Sequence, residues 1–184
     1  SLPGSNRWLT GRLDGHRLRH DYTHAARSFD YRFVQAEVTA VDRERRHIVT
    51  AQGTLDYDWL VLAVGIGYDY AALLGDDQRA IDYTRQHYPC AFTAGDEIPT
   101  LKAKLDGFAG GDLVMTLPPA PYRCPPAPYE RAAMIGALFK SRGVQGKLIV
   151  LDPNPLMASF SRVFDSQYRD RSVYVPHARV KAFE

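Results

Sequence analysis

Cysteine is scarce in this sequence, a complete glycine-rich nucleotide loop is missing, and neither charge nor apolar residues dominate any long stretch. Two cysteines, Cys90 and Cys124, cannot build a disulfide framework. They are either buried thiols or a redox pair, and their number does not set the compartment. A formal net charge of +2 makes no strong case for nucleic acid or an anionic membrane as partner. No run approaches the ~18 apolar residues of a membrane-spanning helix. The opening Ser1-Leu-Pro-Gly4 carries no secretory leader and reads as a cut or processed end. With 45% hydrophobic and 24% charged residues, the 184-residue chain has the composition of an ordinary globular protein, long enough for one domain or two small ones.

Residues 14–29 read as an amphipathic helix on which His16, His20 and His24 recur every fourth position and share a face. Two such histidines can ligate a metal, but no further ligand is at hand, so a solvated polar face is expected and no metal site. Residues 31–41, 47–51 and 54–57 alternate as three strands joined by tight turns, a meander. The run 59–65 is apolar throughout, as expected for a strand buried on both faces of a parallel sheet. Gly65-Ile-Gly67 is half of a dinucleotide fingerprint, but Tyr70 stands where a third glycine would be, and 71–75 opens no clear helix. Residues 76–95 are polar and read as a loop containing Cys90. A short helix is expected over 96–108, capped by Gly95 or Asp96 and ended by Gly107.

After Gly110-Gly111 the pattern becomes strand, loop, helix, strand: 113–117, a loop, a helix to 142, a turn at 143–146, and 147–151. That is a βαβ unit. Its first loop holds six prolines (118, 119, 121, 125, 126 and 128) with Cys124 among them, and Glu130 opens the helix. Strand-to-helix loops are where an α/β sheet places its chemistry. Glycines there would let backbone N–H groups approach a pyrophosphate, whereas prolines fix φ and remove donors. The loop therefore excludes a nicotinamide cofactor and presents a thiol. Asp152 ends the second strand where a ribose-binding acid often sits, but Pro153-Asn-Pro155 follows, and turn chemistry is the better reading. A helix over 156–169 and a strand over 172–183 close the chain. Neither half reads as a complete doubly wound domain, so an internal piece of a longer protein is expected.

The segment Pro121-Tyr-Arg-Cys124-Pro-Pro-Ala-Pro-Tyr-Glu130-Arg-Ala resembles the flavoprotein subunit of flavocytochrome c sulfide dehydrogenase. More broadly it is similar to the sulfide:quinone oxidoreductase branch of the two-dinucleotide-domain flavoproteins. Residues 55–66 resemble that family's second flavin motif, a strand ending in Ala63-Val64-Gly65. Arg32-Phe-Val34 through Asp42 resembles the strand that meets the adenine, and 148–152 the next strand of the second domain. The fold class implied is α/β, a partial FAD/NAD(P)-binding Rossmann-like architecture with a three-stranded β-meander and a second βαβ domain. Its divisions are 1–75 (part of the FAD-binding region), 76–109 (connection) and 110–184 (second, NAD-type domain).

The resemblance implies an FAD-dependent enzyme that oxidises sulfide through a cysteine disulfide beside the flavin. Electrons then pass to a cytochrome c subunit in one branch and to quinone in the other. It makes Cys124 one member of the disulfide and Glu130 a candidate for proton handling; the alternative for Glu130 is a first-turn glutamate that suits the helix dipole. Val34, Ala63, Val64 and Gly65 become flavin contacts. Cys90 stands 34 residues before Cys124 (124 − 90), near the place of a cysteine in the quinone-linked branch. It is either a second thiol of the sulfur chemistry or incidental. The family's N-terminal FAD loop is absent, and the usual partner of Cys124 is expected beyond Glu184, so this piece alone is not expected to turn over sulfide. A periplasmic location follows the haem-linked branch and a membrane surface the quinone-linked one. A different flavoprotein of the same fold, such as an NADH dehydrogenase, and a fold-only domain without activity are the competing readings.

Overall fold

The structure, a computed structural model, describes residues 4–93 and 95–180. In chain order its elements are α1 (Ser5–Leu9), a 3-10 turn (Gly15–Leu18), α2 (Tyr22–Ser28), β1 (Val38–Asp42), β2 (His47–Thr50) and β3 (Gly53–Asp56). They continue with α3 (Ala71–Leu74), α4 (Gln78–His87), α5 (Glu97–Asp106), β4 (Leu113–Thr116), α6 (Ala127–Arg142), β5 (Leu148–Asp152), α7 (Ala158–Gln167) and β6 (Ser172–Pro176). Two compact units result: Arg19–Ile66 is one, and Ser1–Leu18 with Gly67–Glu184 is the other.

The smaller unit is the expected meander, three antiparallel strands in the order β1-β2-β3. Asp42 caps its first turn by accepting from the Glu44 and Arg45 amides. The paired part of β1 is shorter than the alternation suggested, starting only at Val38, with a register shift between Val38 and Ala40. The 14–29 helix is a correction. Asp21 accepts the Thr23 amide proton at 2.8 Å and starts α2 afresh. An aspartate that bonds the backbone two residues on competes with helix continuation. His16, His20 and His24 are thus not on one helix, because His20 lies in the break.

The run 59–65 is a second correction. It forms no strand, and Trp59 is 92% and Val64 91% exposed. Apolar composition marked it for burial, but burial of a strand needs neighbours on both sides, and no described strand pairs with it.

In the larger unit β4, β5 and β6 form a parallel sheet in the order β4-β5-β6. The intervening α6 covers β5 with a stripe of Tyr129, Ala132, Ile135 and Phe139, all buried and spaced three or four residues apart. They meet Leu148 and Val150 on the inward face of β5, together with Ile98 and Leu105 of α5 and Leu9 of α1. Phe164 and Phe160 of α7 stack on Tyr174 and Tyr129. Gly143 ends α6 in the left-handed region (φ 64°), where a side chain is costly. Gly146 is required for a different reason: a Cβ there would lie 1.8 Å from the Gly111 carbonyl oxygen.

Two helices were missed. Residues 71–74 make one helical turn, and 76–95 contain α4, capped by Asp77, whose carboxylate accepts the Arg79 and Ala80 amide protons. Only Ile81 and Thr84 of α4 are buried, so its polar composition masked the cap signal. In α5 the Asp96 side chain makes no cap bond, while Gly107 ends the helix as expected. The expected strand at 172–183 is paired over Ser172–Pro176; residues 181–183 lie outside the described residues.

Leu148→Ala deletes a side chain buried in this core and is expected to destabilise the protein by about 2–5 kcal/mol. Val114→Thr, on the 56% exposed outer position of β4, is expected to change stability by no more than about 0.5 kcal/mol. Urea denaturation followed by circular dichroism checks both.

Candidate functional site

The loop between β4 and α6 carries Cys124 as an exposed free thiol. Its carbonyl accepts the Ala127 amide proton at 3.0 Å, and the Glu130 amide donates to Pro126 O at 2.9 Å, so Cys124 stands directly before the first turn of α6. Pro125, Pro126 and Pro128 carry no amide proton, and the Ala127 amide is spent on the Cys124 carbonyl, so this helix start offers the thiol few backbone donors. Glu130 is exposed in that same first turn.

The two ends of the loop are tied to the loop after β5. Asn154 accepts the Ala120 amide proton at 2.8 Å through Oδ1 and donates through Nδ2 to Pro118 O at 2.9 Å. Asp152, 0% exposed, accepts from the Asn154 amide at 2.8 Å and from its Nδ2 at 2.9 Å. Its other oxygen accepts the hydroxyl protons of Tyr129, from the first turns of α6, and of Tyr174, from β6. Burial, then the adjacent carboxylate, pushes both tyrosines above the ordinary phenol range, so they remain donors. Tyr122 of the loop is raised by burial as well, and its hydroxyl donates to Pro125 O at 3.4 Å. The turn reading of Asp152 accounts for its bonds to Asn154. The two tyrosines were not foreseen, because hydroxyl donors 22 and 23 residues away leave no local signal. Both oxygens of Asp152 are thus filled by donors from within the unit.

Cys90 lies elsewhere in the larger unit and is also free. Arg131, 4% exposed, donates to Asn6 Oδ1 at 2.9 Å, to Cys90 O and to Ala91 O at 2.6 Å. Its guanidinium lies 3.4 Å over the Phe92 ring, a cation–π contact. Burial lowers Arg131 to about 10, still cationic at neutral pH. The Tyr68 hydroxyl accepts the Phe92 and Thr93 amide protons, while Glu97 accepts from the Ala91 amide and the Tyr70 hydroxyl. Burial pushes the Cys90 thiol up to about 11; the nearby Arg131 opposes this and Glu97 adds to it. The two cysteines therefore have opposite settings: one exposed before a helix, one enclosed and held as thiol.

Of the remaining candidates, Val34 is half-buried and Ala63, Val64 and Gly65 are exposed, all in the smaller unit. Gly65 has φ 80° and open space where a Cβ would be. An exposed extended apolar run ending in glycine fits the face of a planar ring in kind. Among the described residues no group of three or more His, Cys, Asp or Glu could hold a metal ion, and no helix is long and apolar enough to cross a membrane.

Alkylation by iodoacetamide at pH 8 is expected to label Cys124 and spare Cys90. A thiol raised to about 11 is only ~0.1% thiolate there, and thiolate is the reactive form. Cys90 labelling should rise as the pH approaches 11, since a raised thiol loses its proton only above its ordinary range. Peptide mapping by mass spectrometry reads both sites.

Comparison with known proteins bears on this loop directly. Residues 99–183 match the family described as sulfide dehydrogenase (flavocytochrome c) flavoprotein chain, central. Among solved structures, the chain is similar to the sulfide:quinone oxidoreductase from the hyperthermophilic bacterium Aquifex aeolicus, with a TM-score of 0.74 and 18% identity, over 100% of this chain and 44% of that one. It is also similar to a ferredoxin reductase from Rhodopseudomonas palustris, with a TM-score of 0.56 and 18% identity, over 100% of this chain and 43% of that one. The chain spans less than half the length of these structures. Their likeness bears on fold, and the family match bears on the segment that holds the thiol loop. Over residues 99–183, which include the Cys124 loop, the chain is thus similar to the central part of the flavocytochrome c sulfide dehydrogenase flavoprotein chain.

Proposed function

We propose that the protein to which this chain belongs is an FAD-dependent sulfide oxidoreductase in which Cys124 is one half of a redox-active disulfide. The observation that carries this is the coincidence of the family match over 99–183 with an exposed thiol directly before α6. FAD, when bound, supplies a two-electron acceptor. Ala63, Val64 and Gly65 would lie along its ring system, and Val34 near its adenine. The work of this chain's own residues is with sulfur. Hydrosulfide attack on a disulfide containing Cys124 forms one S–S bond, breaks another and releases one thiolate. Glu130, exposed in the first turn, is the group of this loop able to exchange a proton with solvent near that sulfur. Cys90, enclosed and held as thiol, is assigned no part in the first attack.

A cytochrome c subunit is the proposed electron acceptor, which suits a periplasmic location; quinone at a membrane surface is the alternative. The prolines of the loop and the filled carboxylate of Asp152 argue against NADH as donor.

Anaerobic stopped-flow spectroscopy of the full-length flavoprotein tests the reading. Sulfide is expected to bleach the flavin absorbance, NADH to do so far more slowly, and Cys124→Ser to slow the sulfide reaction at least 100-fold. Normal reduction by sulfide in Cys124→Ser removes the claim, and faster reduction by NADH replaces it with an NADH-dependent flavoprotein. Adding cytochrome c or a quinone to the reduced protein identifies the acceptor.

A further inference from the structure

The proline loop is stiff locally, but nine residues lie between Ala120 and Glu130, and stiffness alone does not place a thiol. The bonds that place it come from the end of β5. On one side Asn154 grips Ala120 N and Pro118 O. On the other the hydroxyl of Tyr129, five residues after Cys124, donates to Asp152, while Tyr122 closes the loop over the cysteine by donating to Pro125 O at 3.4 Å. Asp152 and Asn154 are themselves joined by two bonds, at 2.8 and 2.9 Å. The same carboxylate accepts from Tyr174 on β6, so the anchor spans two strands of the sheet.

We propose that Asp152 and Asn154 form a brace that positions Cys124, setting its orientation before α6 and thereby its reactivity. They are positioning residues, because neither touches the thiol and both act through the loop backbone and Tyr129. The inference rests on the reading of Cys124 as the working thiol. The chemistry favours such a device. A buried carboxylate with all its donors in place has one low-energy arrangement, since losing any partner leaves a desolvated charge short of hydrogen bonds. A loop tied to it inherits that single arrangement. The charged residues nearest Cys124 in sequence are Arg123 and Glu130, and Tyr122 interacts electrostatically with both Cys124 and Asp152.

The test uses the full-length protein with its disulfides reduced, and follows iodoacetamide alkylation of Cys124 against pH by peptide mapping, with amide hydrogen exchange alongside. Asn154→Ala is expected to speed exchange at Ala120 about tenfold and to change the Cys124 alkylation rate at least threefold, with a shifted midpoint in its pH profile. Tyr129→Phe, which keeps the buried ring and removes only the hydroxyl, is expected to shift the same midpoint from the other end of the loop. The Leu117 amide, bonded to Leu151 O across the β4–β5 ladder, should stay protected in both. If Asn154→Ala loses that protection, Tyr129→Phe decides by the same readout. Cys124 profiles equal to the parent's in ladder-protected variants overturn the brace. Neither sulfide nor flavin enters this measurement, so its failure leaves the sulfide reading standing, while normal sulfide reduction in Cys124→Ser would sink that reading and leave the brace.

Discussion

A single buried carboxylate ties the larger unit together. Asp152 accepts from two tyrosines and from both nitrogens of Asn154, and these donors come from α6, from β6 and from the turn after β5. A charge without exposure to water is tolerable only when hydrogen bonds replace its hydration. Here the replacement is complete enough that each donor is committed. The commitment reaches the Cys124 loop through Asn154, which spends its remaining side-chain bonds on that loop's backbone. Sheet edge, helix start and loop are thereby one hydrogen-bonded assembly.

A second buried charge, Arg131, does comparable work on the other side of α6. It holds the Cys90–Ala91 backbone and Asn6 of the N-terminal helix against the core. The consequence for sulfur is the reverse of that at Cys124. The segment around Cys90 is enclosed, and desolvation keeps its thiol protonated despite the neighbouring cation. Of the two cysteines, position in the fold rather than residue type distinguishes the exposed one from the partly buried one.

Most of the second unit was legible in advance. The proline loop, the helix ended by Gly143 and the alternating apolar strands at 113–117 and 147–151 are local signals, and β4, α6 and β5 form within a residue or two of them. Legibility failed where local signals conflicted. Asp21 carried a cap inside an apparently continuous helix, and α4 hid an Asp77 cap in a polar segment. It also failed at 59–65, where composition asked for burial that no described strand supplies.

By itself the sequence determined that a proline-rich, glycine-free loop would present one cysteine at a strand-to-helix junction. That conclusion needs only backbone stereochemistry and spacing. Only the tertiary structure decided which thiol is open and which is enclosed, and what holds the loop in place. The reason is separation along the chain: Ala120 meets Asn154 across 34 residues, Tyr129 meets Asp152 across 23, and Arg131 meets Asn6 across 125. Such contacts exist only after the chain has folded back on itself, and no local pattern encodes them.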